Sequence, residues 1–501
     1  MDEELVELSV LSEIIISKEE SAYLNGVASR LIQRTKDYFA EKGLDIDVRL
    51  AGSFAKGTYL SDQDFDLFML FPTDMSRKEM EKIGLQAGRD IIDGELVYSE
   101  HPYMTGYFEG IETDMVPCYH LKSTEHIVTA VDRTPFHTEY MNSHLSDDEK
   151  DQARLLKKFL KGIGAYGAEQ DSRGFSGYMC EVLTVKYHTF KAVLEAALEW
   201  KDGETIVVEK AGPHMKSALV VYDPVDPKRN AASAVHKDTL HLFQTAARAY
   251  LDDPSERFFF PNEREPLGID DLRSICEKKD TRLASVTFDK PKNVVDDNLQ
   301  AQLWRTQYGL EKKFAENDFE VVNAVHRMYD DKMYVVFELE SDMLSEDHLH
   351  KGPPTKSKNA SEDFLAHWKG NPMGEPFVKD GYWYVVSPRR IRSATDFLET
   401  QTANSGIGRS LDVSTMKVYG HDATLETIDP SLLTELLDYR YPWDNRSARY
   451  RQKEQLLDVA NCFYMADNWE YTVGLWASLV YLWLWEPLTP VQIRVGPLIL
   501  V

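Results

Sequence analysis

Apolar positions at Tyr23, Leu24, Val27, Leu31, Ile32, Tyr38 and Phe39 recur every three or four residues, which predicts an amphipathic helix over 17–41. Ser17-Lys18-Glu19-Glu20 has the form of a capping box at its start, and Gly43 is placed to end it. Two apolar runs, 48–51 and 64–71, follow with a small-residue turn between them. Residues 78–92 read as a second helix, and 103–108 and 112–118 as strands joined around Glu109-Gly110-Ile111. A helix over 146–161 buries Leu155, Leu156, Phe159 and Leu160, another runs from Ser176 as N-cap to about Trp200, and 219–222 is a strand. Past Asp253-Pro254 the pattern changes. A strand over 284–288 precedes a long helix over 293–315, then a hairpin of 319–328 with 333–339 turning at Asp330-Asp331-Lys332. A helix at 362–368 and a hairpin over 376–386, turning at Asp380-Gly381, complete the pattern. Strand-helix-strand-strand order predicts an α+β layer of the ferredoxin-like kind.

At 501 residues the chain is long enough for about three domains, and 43% hydrophobic residues suit soluble domains with substantial cores. The formal net charge is −26, from 57 Lys and Arg against 83 Asp and Glu. That balance argues against broad non-specific binding of nucleic acid, although a local basic face remains compatible with it. The four cysteines, Cys118, Cys180, Cys276 and Cys462, form no Cys-x-x-Cys pair, so no zinc site is implied and a reducing cytoplasm is expected. The acidic N-terminus has no apolar segment after it to act as a secretory signal. The longest apolar run, 473–485, falls short of the ~20 residues a bilayer requires, so no membrane association is expected.

The chemistry concentrates in the turn between the first two apolar runs. Asp64 and Asp66 are two apart on a strand and point to one face. Two carboxylates side by side repel unless a cation lies between them. Gly52 allows a tight turn that presents N–H groups to phosphate, with Ser53 and Lys56 beside it. These parts suggest a triphosphate cradle next to a magnesium site. They also suit a plain turn with two solvent-facing aspartates. Asp114 shifts the balance, because an aspartate in an otherwise apolar strand is unusual. If that strand lies beside the first, three carboxylates converge as ligands for two Mg²⁺ ions. Gly-Ser, Asp-x-Asp on one strand and a later Asp on another resemble the polymerase-beta-type nucleotidyltransferase superfamily.

Further motifs sharpen the resemblance. Val131-Asp132-Arg133-Thr134-Pro135-Phe136-His137, Leu155-Leu156-Lys157, Gly164-Ala165-Tyr166-Gly167-Ala168-Glu169, Arg173-Gly174-Phe175-Ser176-Gly177-Tyr178 and Asp223-Pro224-Val225-Asp226-Pro227-Lys228-Arg229-Asn230 occur in that order. With the opening stretch they resemble the archaeal (class I) CCA-adding enzymes, over roughly residues 1–445. The resemblance implies template-independent addition of C, C and A to the 3′ end of tRNA from CTP and ATP. It implies Asp64, Asp66 and Asp114 as catalytic metal ligands. It implies Gly52, Ser53, Lys56, His137, Lys157 and Tyr166 on the nucleotide phosphates. Arg229, on a loop stiffened by two prolines, becomes the candidate for choosing cytosine or adenine. Lys56 stands where an arginine is common in the family, and Asp64 where a glutamate is often found.

The expected architecture is α+β and multidomain. A polymerase-beta-like palm spans 1–140, a helical central nucleotide-binding domain 141–258, and a ferredoxin-like tRNA-binding region 259–445. An extension of unassigned role covers 446–501. Basic residues at His348, His350, Lys351, Lys356 and Lys358, and at Arg389, Arg390 and Arg392, are the expected seats of tRNA backbone. The extension carries Trp469, Trp476, Trp483 and Trp485, and such an aromatic tail packs on the body or on a second subunit, which leaves a homodimer open. The rival readings are an oligoadenylate or cyclic-dinucleotide synthase, which would lack the later motifs, and an inactive RNA-binding protein, which would have a broken acid triad.

Overall fold

The computed structural model describes residues 3–444, apart from 62–63, 98–100, 170–171, 263, 293, 295 and 330. The extension over 446–501, with its tryptophans and Cys462, lies outside the described residues. So do Asn293, the expected start of a helix, and Asp330 in the expected hairpin turn. Among the described residues no helix is long and apolar enough to cross a membrane.

A helix the pattern did not indicate, α1 (Glu3–Ile14), opens the chain. It is followed by α2 (Lys18–Glu41), where Ser17 Oγ accepts the Glu20 N–H at 3.1 Å as the cap. Five strands then form one sheet, with a single-turn helix, α3 (Gly52–Lys56), between the first two. They are β1 (Asp47–Ala51), β2 (Phe65–Phe71), β3 (Glu95–Val97), β4 (Tyr103–Phe108) and β5 (Ile111–Tyr119), in the order β1-β2-β5-β4-β3. Only β2 and β5 pair in parallel. The crossover between them carries α4 (Arg77–Ile92). Strand alternation sends Phe65, Leu67, Met69 and Phe71 of β2 to one face, where they pack with Leu24, Val27, Leu31 and Phe39 of α2 and Met80 and Ala87 of α4. Burying each such phenylalanine contributes about 1.5–3 kcal/mol. Asp66, Phe68 and Leu70 therefore belong to the opposite face, and Phe68 and Leu70 pack with Val116 and Cys118 of β5.

The central part contains α5 (Thr134–His144), α6 (Asp147–Gly162), α7 (Gly177–Tyr187), α8 (Phe190–Glu199), the parallel pair β6 (Glu204–Ile206) and β7 (Leu219–Val221), and α9 (Lys237–Asp252). Ser146 and Glu149 complete a reciprocal capping box at the start of α6. The single helix expected over 176–200 is two helices. His188 adopts φ +70°, and Thr189 Oγ1 caps a new start by accepting the Ala192 N–H at 3.1 Å. Phe159 of α6 is the centre of an aromatic cluster with Phe190, Phe243, Tyr250, Phe258 and Phe259. Val6, Val10 and Ile14 of α1 join this core rather than that of the first sheet.

The third part begins with α10 (Ile269–Lys279), followed by β8 (Arg282–Asp289), α11 (Asp296–Glu316), β9 (Val321–Met328) and β10 (Lys332–Leu339). A separate antiparallel sheet is built from β11 (Asp347–Pro354), β12 (Phe377–Lys379) and β13 (Tyr382–Pro388), with α12 (Lys358–His367) beside it. Then come α13 (Ala394–Gln401), β14 (Lys417–Tyr419), α14 (His421–Thr427) and α15 (Pro430–Leu437). The larger sheet runs β14-β8-β10-β9, antiparallel throughout, which is the ferredoxin-like arrangement with the smaller sheet inserted. Its second helix is α13. The helix expected at 362–368 corresponds to α12, which serves the inserted sheet instead. The three-residue β14 is too short to leave a period-two signature.

Candidate active site

Ala51 ends β1 directly opposite Asp66 of β2. The chain then turns at Gly52, with φ +67°, into α3, and Gly57 closes that turn at φ +66°. A Cβ at Gly52 would run into the Asp66 carboxylate, so glycine is required by both the backbone angle and the close approach. Ser53 follows, half-buried, and its carbonyl accepts the Thr58 N–H at 3.0 Å.

Asp66 pairs with Asp114 across the parallel β2–β5 ladder. Asp64 is exposed just ahead of β2, and its charge raises the pKa of both partners. Burial, then Asp64 and Asp114, push the Asp66 carboxyl up to about 7, while Lys56 pulls the other way. Burial pushes Asp114 up to about 6, against a hydrogen bond from Thr105 and with repulsion from Asp64 and Glu112. Three mutually repelling carboxylates of this kind are a donor set for a hard divalent cation. Among the described residues no three Asp, Glu, His or Cys side chains are already closed to metal-ligand spacing. The acids share a neighbourhood without forming a finished cage.

Lys56 and Lys157 meet at one buried carboxylate. Glu181 of α7 accepts from Lys56 Nζ at 2.5 Å and from Lys157 Nζ at 2.7 Å, and the Thr58 hydroxyl donates to it as well. Burial drives the Lys157 pKa down while Glu181 opposes the shift. A Cβ at Gly177 would stand 2.7 Å from the Tyr166 hydroxyl and 3.5 Å from Lys157 Cε, so both side chains reach the start of α7. The Lys161 ammonium lies 5.3 Å from the centre of the Tyr166 ring.

His137 and Arg229 converge on a second buried carboxylate, Asp223. The His137 Nε2 lies 2.9 Å from Asp223 Oδ2, Arg229 NH1 donates to the same oxygen at 3.0 Å, and the Tyr178 hydroxyl donates to Oδ1 at 2.9 Å. The His137 and Tyr178 rings stack with centres 3.9 Å apart. Burial lowers the His137 pKa more than Asp223 raises it, and Asp223 itself is held far below the usual carboxylate range by His137 and Arg229. Arg229 is about one-third exposed and keeps a face to solvent. Lys56 Nζ lies 5.7 Å from the Tyr178 ring centre, which links the two clusters.

All ten candidate residues therefore have places in this region, but Glu181 and Asp223, which organise it, were not among them. A signal for Glu181 exists: it interrupts the apolar run 179–183, where an acid needs a buried partner. Asp223 was visible only as part of a proline-rich loop. In the third part, Arg389 is tied to Asp318 and Arg392 to Glu346, so two of the expected tRNA-contacting arginines are engaged by acids. Lys356, Lys358 and Arg390 are exposed.

Three family models match the chain in sequence: a nucleotidyltransferase domain over 32–137, a tRNA nucleotidyltransferase second domain over 151–260, and a CCA-adding enzyme C-terminal domain over 279–420. The chain is 38% identical to the CCA-adding enzyme of Halobacterium salinarum, covering 84% of this chain and 95% of that protein. It is 36% identical to the CCA-adding enzyme of Methanoregula boonei, covering 78% and 86%, and 32% identical to that of Archaeoglobus fulgidus, covering 82% and 93%. Among solved structures, that of Escherichia coli CdnC with ATP is similar over 52% of this chain and 95% of the other, at 17% identity and a TM-score of 0.41.

Proposed function

The chain belongs to the family of archaeal CCA-adding enzymes and adds C, C and A to the 3′ end of tRNA without a nucleic-acid template, and from that premise we propose which of its residues perform the transfer. The observation that carries the assignment is the cross-strand pair Asp66–Asp114 beside the Gly52 turn. Asp64, Asp66 and Asp114 would hold divalent metal, with Mg²⁺ as the proposed ion. Bound there, it would lower the pKa of the attacking hydroxyl and offset charge on the triphosphate. The terminal ribose hydroxyl of the tRNA attacks the α-phosphorus of CTP or ATP, a new P–O bond forms, and the bond to the β-phosphate breaks to release pyrophosphate. Asp114, paired with Asp66 across the β2–β5 ladder, is the proposed metal ligand or base that assists the attacking hydroxyl.

Gly52, Ser53 and Lys56 line the phosphate side from the turn, and His137 and Tyr166 complete it. Lys157 adds positive charge behind them. Arg229, oriented by Asp223 and backed by Tyr178, is the proposed reader of the base edge. The exposed Lys356, Lys358 and Arg390 are proposed contacts for tRNA phosphates, and the proposed setting is the cytoplasm.

The test is incorporation of labelled CTP, ATP, GTP and UTP, singly and with CTP and ATP together, into tRNA lacking its CCA end. Two C and one A are expected, with G and U ignored. Asp66→Ala should abolish transfer with the fold and tRNA binding intact. A rate within about tenfold of the unaltered enzyme, ~1.4 kcal/mol of barrier, would remove Asp66 from the metal site.

A further inference from the structure

Glu181 has no part in the transfer just described, yet it is a fully buried charge whose two oxygens are both engaged. It projects from α7 one turn after Gly177, amid the buried side chains of Met179, Cys180, Val182 and Leu183. Isolated in such a place a carboxylate would be very costly, so its partners define its purpose. They are Lys56 from α3, which follows the first strand of the catalytic sheet, and Lys157 and Thr58.

The two lysines are not equivalent. An ammonium has three N–H donors. Lys157 Nζ has three acceptors within the protein: Glu181 Oε1 at 2.7 Å, Thr58 Oγ1 at 2.9 Å and the Thr58 carbonyl at 3.1 Å. Lys56 donates to Glu181, and its charge lowers the pKa of Asp66. Lys56 ends the α3 turn that opens at Gly52, so it joins the buried carboxylate to that turn, while Lys157 is enclosed by its three acceptors.

We propose that Glu181 is a positioning residue for the nucleotide triphosphate: it aims Lys56 at the phosphates and retains Lys157 as an internal counter-charge. The two ammoniums and one carboxylate leave one net positive charge, delivered through Lys56. Without the carboxylate two desolvated ammoniums would repel each other, and Lys56 would lose its anchor. This role rests on the assignment of the triphosphate to the Gly52 turn. It adds a residue on the central helix α7 that acts on the nucleotide without touching it.

Steady-state CCA addition by Glu181→Gln, with CTP and ATP varied separately, tests the role. The expected result is a KM raised about tenfold for both nucleotides, as for loss of one charge-assisted hydrogen bond, with kcat and the KM for tRNA within about twofold. Inorganic tripolyphosphate should weaken as a competitive inhibitor by the same factor. A folded Glu181→Gln enzyme with unchanged nucleotide KM, or one that loses only kcat, overturns the proposal. The charge-balanced pair Lys157→Met with Glu181→Gln decides the matter if the single variant does not fold. Nucleotide KM raised about tenfold, as the lost anchor of Lys56 requires, supports the positioning role, and a KM within about threefold of the unaltered enzyme overturns it. A KM as poor as that of Lys56→Met would make Lys157 a phosphate ligand in its own right and overturn it. Lys56→Met tests the underlying assignment separately. If it leaves nucleotide KM unchanged, the triphosphate does not lie at the Gly52 turn, whatever Glu181 does.

Discussion

Asp66 and Asp114 are adjacent acids that gain little from being ionised together. Their carboxyls sit at about 7 and about 6 in the folded protein, against about 3.9 for an unperturbed aspartate. Because the folded-state values are raised, the folded protein binds more protons than the unfolded chain between about pH 4 and 7. The two acids therefore favour folding least above pH 7, where both are charged and repel. A divalent cation that binds the ionised pair should offset that repulsion. The melting temperature gained on adding Mg²⁺ should be small at pH 5.5 and grow by pH 8, and Asp66→Asn should flatten the difference. An equal gain at both pH values in the unaltered enzyme would detach the cation from these acids. The same residues show why the proposed catalytic acids could be read from sequence. Each interrupts a β-run of apolar character, and the period of two places Asp66 opposite the face of Phe65, Leu67, Met69 and Phe71. Glu181 also interrupts an apolar run, but Lys56 and Thr58, which engage it, come from distant segments and meet it only after folding, as His137 and Tyr178 meet Asp223.

At the scale of the elements, periodicity recovered the runs whose apolar faces are long. α2, α6 and α11, with strands β2, β5, β8 and β10, lie close to where the pattern puts them. It missed α1, α5, α9, α10, α13, α14 and α15 and the strands β3, β6, β11 and β14, and it joined α7 to α8. The break at His188 depends on one positive φ and one threonine cap, neither of which disturbs the apolar spacing around it. The swap between α12 and α13 has a different cause. Both are short helices, and only the sheet each one covers separates them. The element that ties the central part together is α6. Its one face presents Phe159 to rings from α8, α9 and the 256–259 turn, while Leu155 and Leu156 are buried in the same core. Phe159→Ala should cost about 3–5 kcal/mol by loss of buried surface and the cavity left behind. α6 carries Lys157 on the same helix, so loosening it should also raise nucleotide KM. Thermal unfolding followed by circular dichroism, with nucleotide KM measured at 25 °C and at 40 °C, checks both effects. A melting temperature unchanged within 1 °C would mean that the aromatic cluster can refill the space.

The whole molecule is an acidic protein that acts on a polyanion. With a net charge of −26 its surface repels itself and, on average, tRNA. Productive binding must then depend on local patches, for which the exposed Lys356, Lys358 and Arg390 are the proposed tRNA contacts, and on the enclosed positive charge of the proposed nucleotide site. These two kinds of interaction respond differently to salt. Raising KCl from 0.1 M to 1 M shortens the screening length from ~10 Å to ~3 Å. Self-repulsion among surface acids is long-range and should fall, so the melting temperature should rise. Contacts between surface cations and tRNA phosphates should weaken over the same range, raising the KM for tRNA. Partly buried charge pairs are screened less, so nucleotide KM should move less than tRNA KM. Measuring all three across one salt series separates the terms. A melting temperature that falls would show that surface ion pairs such as Arg30–Glu109 outweigh the excess of acids. A tRNA KM that stays constant would mean that tRNA is held by shape and base contacts rather than by phosphate charge. The expected divergence follows from the proposal that the cations serving the nucleotide lie inside the protein and those serving the tRNA lie on its surface.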